Sequence, residues 1–434
     1  MTNRALALVV VVVSGCGSAL PHARIATPGP EGPSAALSPE AVDRWAEARG
    51  AYDAALASGF DAASCTDVAA RFDALHDLPE AIYMRGLALR ACGDGVGASE
   101  AFHRAITLRS TLCGARVAIA LEHDEAGRFD ASRTELERAV HDDPRCVEGY
   151  VNLARAERRD PNGASAALDD LRRALAIDSR SMAAFHQMAL VYLDQAARMR
   201  GVAPRVQGGG IALPIQTHDV DAAARLLDLA SVVCRQAQLV DPDYAPLYNT
   251  WALVAIQRGE IVEALAMLER ARTLDPSLFE AAMNFGELTL SFRGYADAAA
   301  AFTHASELRP GDYDAWIGLG AAQRGLGALD AAETAYTRAI AIDAARPEAY
   351  FDLGLLYQDH RGGDATAMHT AEGYYRAFVE RARDASELAP VVEAVTRRCP
   401  PSCGPDAHPS RRAGATCAMG RLQQITEALC MLGT

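Results

Sequence analysis

Lysine is missing altogether: all 42 basic residues of the 434-residue chain are arginines. Against 56 acidic residues they leave a net charge of −14, which excludes the broad basic surface that holds nucleic acid. Aromatics make up only 6% of the chain, so alanine rather than rings fills many core positions. One long apolar run occurs, Ala5 to Val13, and it is too short to span a bilayer permanently. Catalytic signatures are also missing. The eleven histidines do not cluster, and no His-Glu-x-x-His, no Gly-Lys-Ser/Thr loop and no nucleophile elbow is present. The densest polar run, Glu122-His123-Asp124-Glu125, falls at the end of a helical pattern, where facing solvent is its expected role. The reading is therefore of a non-enzyme, with no catalytic residue, no resident metal and no nucleic-acid partner.

What is present is a period. Pro276 and Pro310 stand 34 residues apart, as do Ala264 and Ala298, and Ala271, Ala305 and Ala339. Gly286, Gly320 and Gly354 keep the same step, and Phe302 is followed by Tyr336. Small residues let two helices cross closely, a ring fills the gap beside them, and proline stops the second helix. Eight such units begin near Pro79, Cys113, Val147, Met182, Ala245, Phe279, Tyr313 and Pro347. One pair cannot bury its own apolar stripe, so the units must stack. The fold class expected is an all-α right-handed solenoid of about eight helix pairs with helical caps.

These residues resemble the tetratricopeptide (TPR) family. Its pattern sets an aromatic at position 4, Leu-Gly at 7 and 8, Tyr at 11, Ala at 20, Phe or Tyr at 24, Ala at 27 and Pro at 32. The unit from Tyr313 supplies Trp316, Leu319, Gly320, Ala332, Tyr336 and Ala339, and departs at Gln323 and Ala344. The resemblance implies a concave face built by the first helix of each pair. Position by position it assigns to that face Tyr83, Leu87 and Arg90; Val117 and Leu121; Val151, Arg155 and Arg158; His186, Leu190 and Leu193; Asn249, Leu253 and Ile256. The later units add Met283, Glu287 and Leu290; Ile317 and Arg324; and Phe351, Leu355 and Gln358. Such a stripe suits an apolar helix or extended segment of a partner protein. Alternatively, Leu87, Leu190, Leu253 and Leu355 pack between neighbouring helices. His186 is expected to be an exposed histidine on this face. The family's lysine-bearing carboxylate clamp is absent, with Arg155 and Arg158 as a possible local substitute.

The termini are read separately. Residues 1–15 form a signal peptide: Arg4 supplies its positive end, and Val13-Ser14-Gly15-Cys16 resembles a bacterial lipobox. That resemblance implies cleavage before Cys16 and a diacylglycerol and acyl chain on its sulfur and amine, with no other cofactor. Gly17 is not the aspartate associated with inner-membrane retention, so the resemblance favours the outer membrane, facing the periplasm. Residues 16–38 are a Pro/Gly-rich tether. Residues 39–78 read as a degenerate capping repeat, opened by Ser38 as N-cap and Pro39 in the first turn. Residues 79–383 hold the solenoid, interrupted at about 197–219 by an insertion that includes Gly208-Gly209-Gly210, with a shorter interruption at 362–365. Residues 384–434 form a cysteine-bearing helical cap.

Ten cysteines suit an oxidising compartment. Cys399, Cys403, Cys417 and Cys430 are expected to make two disulfides of unassigned pairing; their spacing fits no common zinc finger. Cys113 and Cys146 lie at positions 1 and 34 of one unit and are candidates to pair. Cys65 and Cys92 are less clear, and Cys234 occupies a core position as an inert thiol. In architecture the chain resembles the repeat lipoproteins that assist pilus secretins, outer-membrane insertion and myxobacterial gliding. A scaffold for an envelope machine is the first reading, and an accessory subunit of a peptidoglycan or polysaccharide enzyme the alternative. Its partners would be envelope proteins and, through Cys16, the bilayer.

Overall fold

The computed structural model describes residues 38–200, 220–359 and 365–383, with residues 388 and 392. Among the described residues eighteen α-helices follow one another. They are α1 (Pro39–Ser58), α2 (Ala62–Asp73), α3 (Pro79–Ala91), α4 (Gly95–Leu108), α5 (Cys113–Glu125), α6 (Phe129–Asp142), α7 (Val147–Glu157), α8 (Ala164–Ile177) and α9 (Met182–Met199). Then come α10 (Val220–Val240), α11 (Ala245–Arg258), α12 (Ile261–Leu274), α13 (Phe279–Ser291), α14 (Tyr295–Leu308), α15 (Tyr313–Gly325), α16 (Leu329–Ile342), α17 (Glu348–Asp359) and α18 (Ala365–Arg381). The described residues form two compact units, one of 38–200 and 220–254, the other from 255 onward.

Within each unit the helices pack as pairs: α3 on α4, α5 on α6, α7 on α8 and α9 on α10 in the first, α13 on α14, α15 on α16 and α17 on α18 in the second. The leading helices of successive pairs also touch, α5 with α7, α7 with α9, α13 with α15 and α15 with α17. This is the all-α solenoid expected from the period. Seven of the eight repeat starts coincide with the first residue of a helix, and α17 opens one residue after Pro347.

The packing follows from residue size. Phe102, Phe302, Tyr336 and Tyr375 are fully buried, each against a glycine of the preceding helix. A Cβ at Gly86 would stand 2.7 Å from Phe102 Cδ1, and one at Gly354 would stand 2.7 Å from Tyr375 Cε1. Only glycine admits these rings. The turn between paired helices needs left-handed backbone, supplied by Gly93, Gly127 and Gly327; Arg293 takes it at φ 62°. Helix ends recur too. Asp143, Asp178, Asp241, Asp275 and Asp343 each accept the backbone N–H two residues on, at 2.9–3.0 Å. Where proline follows the aspartate, as at Pro144, Pro242 and Pro276, it blocks further helix while the carboxylate satisfies the turn.

At the N-terminal end, Ser38 caps α1 by accepting from Ala41 N at 3.3 Å. Trp45, Tyr52 and Phe60 pack against a core that includes Val68, Phe72 and Tyr83, with α2 on α3 and α1 on α2. The insertion is partly helical rather than a loop from its start. Helix α9 runs on to Met199 and has 18 residues, against 13 for α5, and α10 has 21 against 14 for α6. Ala196, Ala223 and Leu227 are wholly buried between the two extensions. The signal, the tether up to residue 37, Cys16, the remainder of the insertion, residues 362–364 of the shorter interruption and the four C-terminal cysteines lie outside the described residues. Of the expected C-terminal cap, Leu388 is buried and Val392 packs against the cluster of Tyr375 and Phe378.

Candidate functional site

In the first unit charged residues at the ends of the leading helices α3, α5 and α7 meet one another and residues within α9. Arg90 of α3 lies 3.6 Å from Glu125 of α5. Asp124 of α5 accepts from Arg155 of α7 at 2.7 Å and from Arg159 at 2.8 Å. Arg158 donates to Asp194 at 2.9 Å and Gln187 at 2.8 Å, both on α9. The sign of charge alternates from helix to helix, so each step is an attractive pair across a repeat boundary. Burial alone would raise the Asp124 carboxyl, but the bonds and charges of Arg159 and Arg155 hold it below the usual carboxylate range. The second unit has one such rung, Arg324 of α15 to Asp352 of α17 at 3.3 Å. There burial prevails, opposed by Arg324 and aided by Glu348, and the Asp352 carboxyl is pushed up to about 6.

This ladder revises the predicted contact face. Tyr83 is wholly buried and packs on Phe102, with ring centroids 5.9 Å apart. Val117, Leu121, Val151, Leu193, Met283, Leu290, Phe351 and Leu355 are buried as well. Phe351 meets Tyr375 and Phe378 at centroid distances of 5.9 and 5.1 Å. Gln358 is buried and accepts from Tyr375 Oη at 2.9 Å. Leu87, Leu190, Leu253 and Ile317 are half-buried against core clusters, which is the inter-helix packing role. Ile256, Asn249 and Glu287 are half-buried, the last two with polar or electrostatic partners. The wet apolar stripe is thus absent at these positions, because the stacking of leading helices consumes it. Arg155 and Arg158 are no spare clamp either, since both are spent on Asp124, Asp194 and Gln187.

His186 is the sharpest correction. It is buried, not exposed. Its Nε2 lies 2.8 Å from Thr250 Oγ1, and its ring stands edge-on to Tyr244 at 6.1 Å. Burial, helped by the charge of Arg158, lowers the imidazole to about 4, so it is neutral at physiological pH. The run Glu122–Glu125 is likewise not simply solvent-facing, because Asp124 is a half-buried rung. Two arginine latches close further repeats. Arg109 closes its repeat onto Glu80 at 2.6 Å, and Arg309 does the same to Glu280 at 2.8 Å while lying 4.0 Å over the Phe279 ring. Both pairs span 29 residues, a spacing the sequence displays.

Disulfides join Cys65 to Cys92 and Cys113 to Cys146, with Cα atoms 5.9 and 5.7 Å apart. The first ties α2 to the end of α3; the second ties the two ends of one repeat. Cys113 and Cys146 approach Glu148, but their sulfurs are committed to each other and so do not form a metal site. Cys234 is a buried free thiol, pushed up to about 12 by burial. Replacing Cys65 and Cys92 together by serine is expected to lower the stability of the N-terminal pairs by about 2–4 kcal/mol. Urea unfolding followed through Trp45 fluorescence measures it; an unmoved midpoint would mean the bond adds nothing.

Among the exposed large apolar side chains, Val96, Phe129, Val262, Phe292 and Leu326 sit at the turns between paired helices. In the second unit Val262, Phe292 and Leu326 occupy this edge in three consecutive pairs. Among the described residues no helix is long and apolar enough to cross a membrane. An all-α stack of helix pairs is typical of non-catalytic protein–protein scaffolds.

Residues 117–181 and 283–349 match the family described as tetratricopeptide repeat. These two segments are similar to tetratricopeptide repeats. A search of curated proteins gives no match. Among solved structures, a thermophilic TPR protein of Thermus thermophilus is similar at 24% identity and a TM-score of 0.41, over 48% of this chain and 97% of that one. YrrB, a TPR protein with an unusual peptide-binding site, is similar at 19% identity and a TM-score of 0.33, over 49% and 95%. A TPR protein of Parabacteroides merdae is similar at 11% identity and a TM-score of 0.40, over 65% and 97%.

Proposed function

We propose that this protein is a lipid-anchored scaffold of the bacterial envelope. Cys16 carries the lipid, the outer membrane holds it, and the helix pairs face the periplasm to assemble or operate a machine of the pilus, secretion, motility or membrane-insertion kind. The observation that carries the reading is the combination of a stacked-pair scaffold with two disulfides near its N-terminal end. Disulfides persist in oxidising compartments, which supports export of the chain. The lipobox-like Val13-Ser14-Gly15-Cys16 supports an anchor on the exported product. Its acyl chains together exceed the two signals that stable anchoring requires.

Two experiments test the parts separately. Cys16→Ala is expected to move the protein from the membrane pellet to the soluble fraction; a variant that still sediments with membranes sinks the anchor. For the scaffold role, a photo-crosslinking residue at Phe292, followed by purification through a C-terminal tag, is expected to trap components of one envelope machine. Capture of a single cell-wall or polysaccharide enzyme at fixed ratio would replace the scaffold by the accessory-subunit reading.

A further inference from the structure

Helix α9 is held by the turn that follows α7. Arg198, near the end of α9, donates to three carbonyls of that turn: Arg158 O at 2.9 Å, Asp160 O at 3.2 Å and Pro161 O at 2.8 Å. Arg158 answers with its bonds to Asp194 and Gln187. The long α9–α10 pair therefore sits on a backbone turn, 158–163, fixed by five hydrogen bonds.

The residue that opens this turn is Glu157, and its side chain is in an unusual place. The residue is 5% exposed, and its Oε2 is buried without a hydrogen-bond partner. The charged groups facing it are Arg133 and Glu137 from α6 and Asp170 and Arg173 from α8. Arg133 approaches only to 3.5 Å, and Asp170 is itself buried, 6% exposed. On the far side of the turn stand Arg158, Asp194 and Arg198. The turn has little slack: Glu157 O accepts from Asp160 N at 3.0 Å, and a Cβ at Gly163 would collide with that same oxygen.

We propose that the Glu157–Asp170 carboxyl pair is a pH-sensitive latch that sets how firmly α9 is seated on the turn 158–163. A protonated Glu157 fits its dry site beside Asp170. An ionised one has only Arg133, at 3.5 Å, to offset its lost hydration beside the Asp170 carboxylate, which Arg173 pairs at 2.9 Å, and it gains by withdrawing the end of α7 from α8. That movement breaks the carbonyl array which Arg198 grips.

The direction follows from linkage. Burial first, and then Asp170, push the Glu157 carboxyl up to about 7. A raised carboxyl contributes stability that is complete below its unfolded value, near 4.5, and is lost as pH rises through about 7. Acid tightens the latch, and alkali loosens it.

Amide hydrogen exchange of the full chain, corrected for intrinsic rates, tests this. Between about pH 5.5 and 8, protection of residues 158–163 and of the last turn of α9 is expected to fall roughly tenfold, with α12 unaffected. Glu157→Gln should hold the low-pH protection across the range. A wild-type chain with no local pH response, or the same response in Glu157→Gln, overturns the proposal. Should Glu157→Gln fail to fold, Asp170→Asn decides: removing the neighbouring charge should shift the midpoint to lower pH, and an unmoved midpoint overturns the proposal as well.

Discussion

Asp124→Ala is expected to cost about 2–4 kcal/mol and to unfold the α5–α8 region before the rest of its unit. The side chain is one tenth exposed and accepts from two guanidinium groups on the next repeat. Without it, Arg155 and Arg159 face each other and Arg158 in a site drier than water, with no anion between them. An isolated surface pair would contribute far less, typically under about 1 kcal/mol. The cost stays below that of a wholly buried pair because the Arg159 side chain is 27% exposed and can turn outward. Adding Arg155→Ala and Arg159→Ala to Asp124→Ala should restore part of the loss, since it removes the stranded charges. The pH dependence has a definite sign. The Asp124 carboxyl is depressed in the folded chain, so its contribution is complete above an unfolded value of about 4 and fades as pH falls below it. Wild type and Asp124→Ala should therefore converge in acid. Equal melting of the two proteins at neutral pH would show that the ladder is ornamental.

Gly320→Leu is the second large effect, about 2–4 kcal/mol, by a different route. A Cβ at Gly320 alone would stand 2.6 Å from Tyr336 Cδ1 and 2.9 Å from Cζ, with Cε1 nearer still. Tyr336 is fully buried among Ala332, Leu353 and Leu356, so the ring has no space to retreat into. Leucine must push α15 off α16, and the displacement reaches α17 through Leu353. Gly320→Ala should cost less but still destabilise. Gly50→Ala is the matching control: it lies inside α1, where an added Cβ meets nothing within 4 Å. It should stabilise by about 0.5–1 kcal/mol through helix propensity. Thermal unfolding of the three variants checks the ordering, and a Gly320→Leu protein that melts like wild type would refute the repeat register.

The register was readable from residue size alone. Gly320 with Tyr336, and Gly286 with Phe302, announce a close helix crossing wherever they occur, because no larger residue fits beneath a buried ring. The face was harder to read. Position-by-position transfer marks Tyr83, Val151 and Met283 as outward, yet whether a residue at such a position is wet depends on how tightly the next repeat stacks on it. That is a long-range fact, absent from any single 34-residue window. His186 shows the same gap, since its partner Thr250 lies 64 residues on, beyond the insertion. The charged rungs could have been found. Arg90, Asp124 with Glu125, Arg158 with Arg159, and Asp194 reverse sign at successive repeats at nearly equivalent positions, a pattern visible once the repeats are aligned for charge and not only for apolar spacing.

That reversal has a consequence for how such an array can change in length. Apolar seams between repeats are nearly interchangeable, so nothing in them forbids duplicating or deleting one unit. The charges do. Excising residues 113–146 would bring Arg90 against Arg155, and doubling that segment would set acid against acid. Removing or adding two units together restores the order of signs. The first unit therefore obeys a parity rule: its length can drift by pairs of repeats, while a change of one places like charges in contact.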